Sequence, residues 1–157
     1  MLCHDQYSIK WLSRLDKGGG VSLYNQDFYQ WTQEQAALLR AGALSRLDVE
    51  NLVEEIESMG KSQKKELVSR LAVLIMHLLQ WDYQSERRSK SWLKTIATQR
   101  TEIDFILFDN PSMKHDLPET IDRAYKAAVK RAVAETGKKI DVFPEACPYT
   151  IDQIMGE

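Results

Sequence analysis

Proline is scarce in this chain of 157 residues: all four prolines lie at or beyond Pro111, so nothing before that point breaks a helix by steric force. Cysteine is scarcer still. Cys3 and Cys147 sit near opposite ends with no CxxC spacing, which excludes a disulfide framework and a cysteine-built zinc site and suits a reducing compartment. Glycine numbers only seven, and the one run, Gly18-Gly19-Gly20, lacks the following Lys-Ser or Lys-Thr of a phosphate-binding loop. No GxSxG elbow occurs. The most apolar run, Leu71 to Trp81, is interrupted by His77 and Gln80. It falls short of the roughly 20 residues that span a bilayer, and no apolar signal segment opens the chain. An excess of either charge is missing too: the net of −2 gives no bulk field for nucleic acid or an anionic membrane. With 43% apolar and 28% charged residues the chain has the balance of a folded globular protein. The expectation is a cytoplasmic protein with no membrane association.

No stretch alternates with period two, so strands are not expected, and helical periodicity divides what is there. Asp27 is an N-cap before FYQWTQEQAALLRAG, a helix that stops near Gly42. A second helix is expected from Asp48 to about Met59, ended by Gly60 in a left-handed cap. Its residues Val49, Leu52, Val53, Ile56 and Met59 have the spacing of one buried stripe. Ser62 opens a third helix to about Gln84, with Leu67, Leu71, Leu74, Leu78 and Trp81 on one face and apolar residues on others, as a central helix requires. Ser89 or Ser91 caps a fourth, terminated by Asn110-Pro111-Ser112. A fifth begins near Pro118 and ends at Gly137, and Thr150 caps one short helix in the tail. The expected architecture is all-α: an irregular antiparallel bundle of about five helices, forming one domain over residues 24–157. Residues 1–23 show no clean periodicity and form an N-terminal arm. Two readings of it stay open: a flexible extension, or upstream sequence translated ahead of a start at Val21.

From Leu23 onward the chain resembles a known bacterial family. The residues that carry the likeness include Tyr24, Asp27-Phe28-Tyr29-Gln30-Trp31, and Leu47 through Glu57 with Gly60. Further on come His77-Leu78-Leu79, Trp81, Arg88-Ser89, Ser91-Trp92, Gln99-Arg100, Asn110-Pro111-Ser112, Glu135-Thr136-Gly137 and Cys147-Pro148-Tyr149. Their combination is similar to the family catalogued as domain of unknown function 29, which usually begins near the equivalent of Leu23 and continues past that of Glu157. The resemblance implies an all-α fold and brings no activity, cofactor or catalytic residue with it.

Charge is unevenly placed. Residues 26–60 hold seven acidic and two basic groups, a net of −5; residues 61–100 hold nine basic and three acidic, a net of +6. One reading is an acidic and a basic helix attracting each other across a hairpin that turns at Gly60. The other is a basic edge at Arg87, Arg88, Lys90 and Lys94, with Trp92 as a stacking surface, that binds a phosphate-bearing or otherwise anionic partner. A helix start there adds its dipole to anion affinity.

Glu54-Glu55-Ile56-Glu57 is similar to the metal-binding run of all-α nucleotide pyrophosphohydrolases, but Ser58 stands where the motif needs a carboxylate. Magnesium chemistry takes carboxylates converging from two helices, and no second run offers them. A solvated acidic face is the expected reading, with no metal and no cofactor. His77 is expected to be a hydrogen-bonded core residue unless Glu55 or Glu135 approaches it as a base partner. Gln99 and Arg100 share a face with Ile96 and Ile103, so a half-buried Arg100 needs a counter-charge, expected from Glu135 or a carboxylate of the acidic helix. His77, Gln99 and Arg100 together are a candidate polar pocket. With no complete catalytic set, a non-enzymatic interaction module is the leading expectation, its partner a protein slightly ahead of nucleic acid. The alternative is a small phosphohydrolase-like enzyme acting on a phosphorylated substrate. Nothing in the sequence fixes the oligomeric state.

Overall fold

The structure, a computed structural model, describes residues 22–156. All but the last two residues of the expected arm lie outside that range, as do Cys3 and His4. Among the described residues there are six α-helices joined by short 3-10 turns, and no strand. They are α1 (Leu23–Gln26), α2 (Phe28–Arg40), α3 (Val49–Tyr83), α4 (Lys90–Asp109), α5 (Leu117–Thr136) and α6 (Ile151–Met155). No helix is long and apolar enough to cross a membrane among the described residues. The all-α bundle expected from periodicity is what the chain forms.

The starts follow local chemistry. Asp27 accepts from the Gln30 amide and Ser89 from that of Trp92, each satisfying an otherwise unpaired first-turn donor. Thr150 and Gln153 form a reciprocal capping box at α6. Gly137 ends α5 at φ 68°, a left-handed conformation that suits a residue with no Cβ.

Gly60 does not do the same. The helices expected on either side of it are one helix, α3, 35 residues long. A glycine inside a helix costs only about 1 kcal/mol relative to alanine, and Lys61-Ser62-Gln63-Lys64-Lys65 behind it contains no proline and mostly good helix formers. One unfavourable residue does not stop propagation, so no hairpin turns at Gly60. Glu50, Glu54, Glu55 and Glu57 and then Lys61, Lys64, Lys65 and Arg70 follow one another along this single helix.

Two compact units follow one another along the chain, one through Glu57 and one from Ser58. In the first, Trp31 and Leu38 are buried on α2, with the half-buried Leu52 at the start of α3. Tyr24, Phe28 and Trp31 pack as an aromatic trio with ring centroids 4.9–5.7 Å apart. The stripe expected to be buried here is not. Val49, Val53, Ile56 and Met59 are 58%, 51%, 67% and 69% exposed. The side of α3 that is sheltered carries Asn51, Leu52 and Glu55, about a quarter-turn round from the stripe.

The second unit holds the main core. α3 contributes Leu67, Leu71, Leu74, Ile75 and Leu79, all essentially sealed from solvent, while Leu78 and Trp81 are half-buried. Each sealed leucine contributes roughly 1.5–3 kcal/mol of burial. Ile103 from α4 and Ile154 from α6 complete the cluster, with Ala124, Ala128 and Ala132 from α5, whose small side chains let that helix lie close to its neighbours. Tyr125 anchors the loop before α6 by donating to the Pro144 carbonyl at 2.6 Å. Burial pushes its phenol up to about 12.

Candidate functional site

The basic edge lies where α3 gives way to α4. Residues Ser85–Arg87 make one 3-10 turn, and Ser89 then starts α4. Arg87, Arg88, Lys90 and Lys94 are exposed, and Trp92 is half-buried. The four cations do not behave alike. Arg88 donates from Nε to the Trp81 carbonyl at 2.8 Å, and its guanidinium carbon lies 5.0 Å from the centre of the Trp81 ring. It therefore satisfies a carbonyl in the last turn of α3, where no helical donor follows, and adds a cation–π contact. The indole beneath the arginine is Trp81 rather than Trp92. Among the described residues, no ion pair holds Arg87, Lys90 or Lys94. The first turn of α4 contains no acidic residue either.

His77, Gln99 and Arg100 are committed separately. His77 Nδ1 lies 2.9 Å from the Val73 carbonyl one turn back on its own helix, so this nitrogen carries the proton and donates. Gln99 is half-buried. Arg100 donates from Nε to the Ile154 carbonyl at 2.8 Å and from a terminal nitrogen to that of Gln153 at 2.9 Å. The expected carboxylate partner is replaced by the C-terminal end of α6, where unpaired carbonyls and the negative dipole end supply the compensation. Gly156 completes this clamp: a Cβ there would lie 2.6 Å from the guanidinium. The cation that does join α3 to α4 by charge is Arg70, 3.1 Å from Glu66 and 3.3 Å from Glu102.

Glu135, expected beside His77 or Arg100, accepts instead from Gln80 Nε2 at 2.7 Å. The Gln80 amide oxygen is buried and has no hydrogen-bond donor. On the same turn Tyr149 donates to Asp82 at 2.8 Å. Burial first, then that bond, holds the Tyr149 phenol far above its ordinary range. Cys147, half-buried, lies 3.8 Å from the Tyr149 carbonyl, and burial pushes its thiol up.

A third cluster escaped the reading of the sequence. In the first unit, Asp48 caps α3 by accepting from the Asn51 amide and side chain, at 3.4 and 2.7 Å, and from the Trp31 indole at 3.1 Å. Its own amide donates to the buried Gln35 at 2.9 Å. The Asn51 bond first, aided by Trp31, holds the Asp48 carboxyl below its ordinary value, against the opposing effect of burial. Tyr24 donates to Glu55 at 2.5 Å, and that bond pushes its phenol up to about 12. Its residues come from two separate stretches, with Tyr24, Trp31 and Gln35 in one and Asp48, Asn51 and Glu55 in the other, so no local pattern marks the cluster. Glu54 and Glu57 are exposed, and among the described residues no three His, Cys, Asp or Glu side chains are grouped to hold a metal ion.

No curated protein and no solved structure matches the chain. The family model of the domain of unknown function DUF29 does match, over residues 23–157, and nearly all the helical sequence described above falls within it. The chain belongs to the DUF29 family.

Proposed function

We propose that the chain is a non-enzymatic helical interaction module of the bacterial cytoplasm whose basic edge docks an acidic surface, that of a protein first and nucleic acid second. The observation that carries this is the triad Arg87, Lys90 and Lys94: exposed, with no ion pair among the described residues, and gathered at the start of α4. Cations at a helix N-terminus oppose the macrodipole, so the fold gains nothing electrostatically from Lys90 in that first turn. An anionic partner reverses the sign of this arrangement, meeting both the side chains and the positive end of the helix. Arg88 contributes mainly by closing α3 on Trp81. The alternative, a small phosphohydrolase-like enzyme, has less support, since Glu55, His77 and Arg100 are each hydrogen-bonded to different partners.

The test is co-purification from the native host alongside anisotropy titration against labelled single- and double-stranded nucleic acid. Arg87→Ala/Lys90→Ala/Lys94→Ala should lose the partner while keeping its helical circular dichroism. Nucleic-acid binding, if that is the partner class, should weaken steeply with salt, because bound counterions are released. A triple variant that keeps the same partner at the same affinity refutes the assignment of the edge.

A further inference from the structure

The basic edge opens a helix whose far end is its complement. α4 lies wholly within the second compact unit, and neither of its ends carries the charge that a helix favours there. Its first turn begins on Lys90 and has no acidic residue; its last turn closes on Asp109 and has no basic one. Lys90, Lys94, Ala97, Thr101, Asp104 and Phe108 recur in steps of four and three residues, and all six are exposed. At about 100° per residue they fall within an arc of about 80°, one line along the helix. Leu93 and Phe105 border that line, and Phe105 and Phe108 are 62% and 79% exposed. Among the described residues no ion pair holds Lys90, Lys94, Asp104 or Asp109. Two phenyl rings and a leucine therefore stand in water on a face that is basic at one end, acidic at the other and small in the middle.

We propose that the acidic surface docked by the basic edge is the far end of α4 on a second copy of this chain, the two α4 helices packing antiparallel about a two-fold axis between Ala97 and Thr101. The pairing rests on the reading of that edge as a docking surface and names its occupant. A two-fold interface needs a surface complementary to itself. Turned end for end about that axis, Lys94 of each copy meets Asp104 of the other, Ala97 meets Thr101, and Lys90 meets the Phe108 ring, whose face attracts an ammonium group. These residues lie on the contact line itself rather than to one side of it. Parallel packing would therefore set each against its own counterpart, lysine on lysine and aspartate on aspartate. Antiparallel packing also brings the positive end of each helix beside the negative end of the other. Ala97 and Thr101 are small enough to let the two axes approach closely. The Thr101 hydroxyl already donates to the Ala97 carbonyl at 3.2 Å, so covering it strands no donor. Leu93 and Phe105 add apolar area at the borders, and the second copy covers rings that this chain leaves bare.

Sedimentation velocity on the full chain at low salt should show a dimer that weakens as salt rises. Two variants at exposed positions test the pairing. Lys90→Glu/Lys94→Glu makes the line acidic throughout, and Asp104→Lys/Asp109→Lys makes it basic throughout. Each alone should dimerise at least about tenfold more weakly with unchanged helical circular dichroism, and an equimolar mixture should recover about wild-type affinity. A wild-type chain that is monomeric at about 100 μM overturns the self-pairing, as does a dimer whose affinity survives either reversal. A mixture that pairs far more tightly than wild type, with neither variant weakened alone, means a parallel contact and overturns it too. Failure of the edge itself reads differently. If the chain is monomeric yet Arg87→Ala/Lys90→Ala/Lys94→Ala loses another partner from the host, the edge stands and the second copy is struck out as its occupant. If that variant keeps every partner, dimer included, both fall.

Discussion

Gly60→Ala asks a question whose sign depends on the backbone. Inside a helix, alanine is favoured over glycine by about 0.5–1 kcal/mol, because glycine surrenders more freedom on ordering. At a left-handed cap the preference inverts, and alanine is penalised by roughly 1–2 kcal/mol. Gly60 lies within α3 and is not among the glycines with positive φ, which are Gly42, Gly137 and Gly156. An added methyl meets nothing within 4 Å, so no steric cost offsets the gain. The substitution should therefore stabilise the local helix by about 0.5–1 kcal/mol, which slows amide exchange around it about two- to fivefold. Hydrogen exchange at residues 57–64, read by nuclear magnetic resonance, gives the answer residue by residue. Faster exchange there would mean that Gly60 terminates a helix after all, and the continuity of α3 would have to be abandoned.

Two other perturbations probe the clamp and the cap. Arg100→Ala removes both hydrogen bonds to α6, and with the guanidinium half-exposed the loss should be about 1–2 kcal/mol, below the full value of charge-assisted bonds. Arg100→Lys should recover only part of it, and exchange in residues 151–156 that stays unchanged in the alanine variant would show that α6 does not depend on the clamp. Asp48 has a folded-state carboxyl held below its ordinary value, so its contribution is present above about pH 4, its unfolded titration range, and is lost as pH falls further through the folded value. The indole N–H resonance of Trp31 should shift over that acid window in the wild type and not in Asp48→Asn; the same shift in both would assign it to another group.

The features that could be read from sequence are those whose cause is local. Asp27, Ser89 and Thr150 each satisfy a donor within three residues, so their cap chemistry is legible in the order of side chains. Gly137 reads correctly because a long amphipathic helix stops there. Gly60 has no such ending behind it, and a glycine alone does not distinguish a cap from a tolerated interior residue. Periodicity at Val49, Val53 and Ile56 correctly reports an apolar face; it carries no information about what covers that face. Contacts to backbone are the least legible. Arg100 was matched to a carboxylate because side chains have names in a sequence, whereas the carbonyls of Gln153 and Ile154 have none. Arg88 reaches back to Trp81 across the end of α3 and a 3-10 turn, a break that helical periodicity does not carry through, so the order of side chains does not announce the pair.

The charge asymmetry shows most directly how a local reading and a three-dimensional one diverge. A net of −5 over residues 26–60 and +6 over residues 61–100 invites the inference of internal neutralisation, with two helices folded face to face. That inference needs a reversal of the chain, and the only place for one between the two runs is Gly60. Once α3 passes through Gly60 unbroken, its own acidic and basic groups are spaced along an axis at 1.5 Å per residue, and within that helix it is groups three or four apart that meet. Arg70 shows how the fold places a counter-charge where it needs one, taking Glu66 on its own helix and Glu102 on α4. Glu50 and Glu54 at one end, and Arg87, Lys90 and Lys94 at the other, receive none among the described residues. Exposed charges of this kind cost the fold little, so stability does not explain their segregation. On the function proposed above, complementarity to an acidic surface outside the chain accounts for the cations gathered at the start of α4.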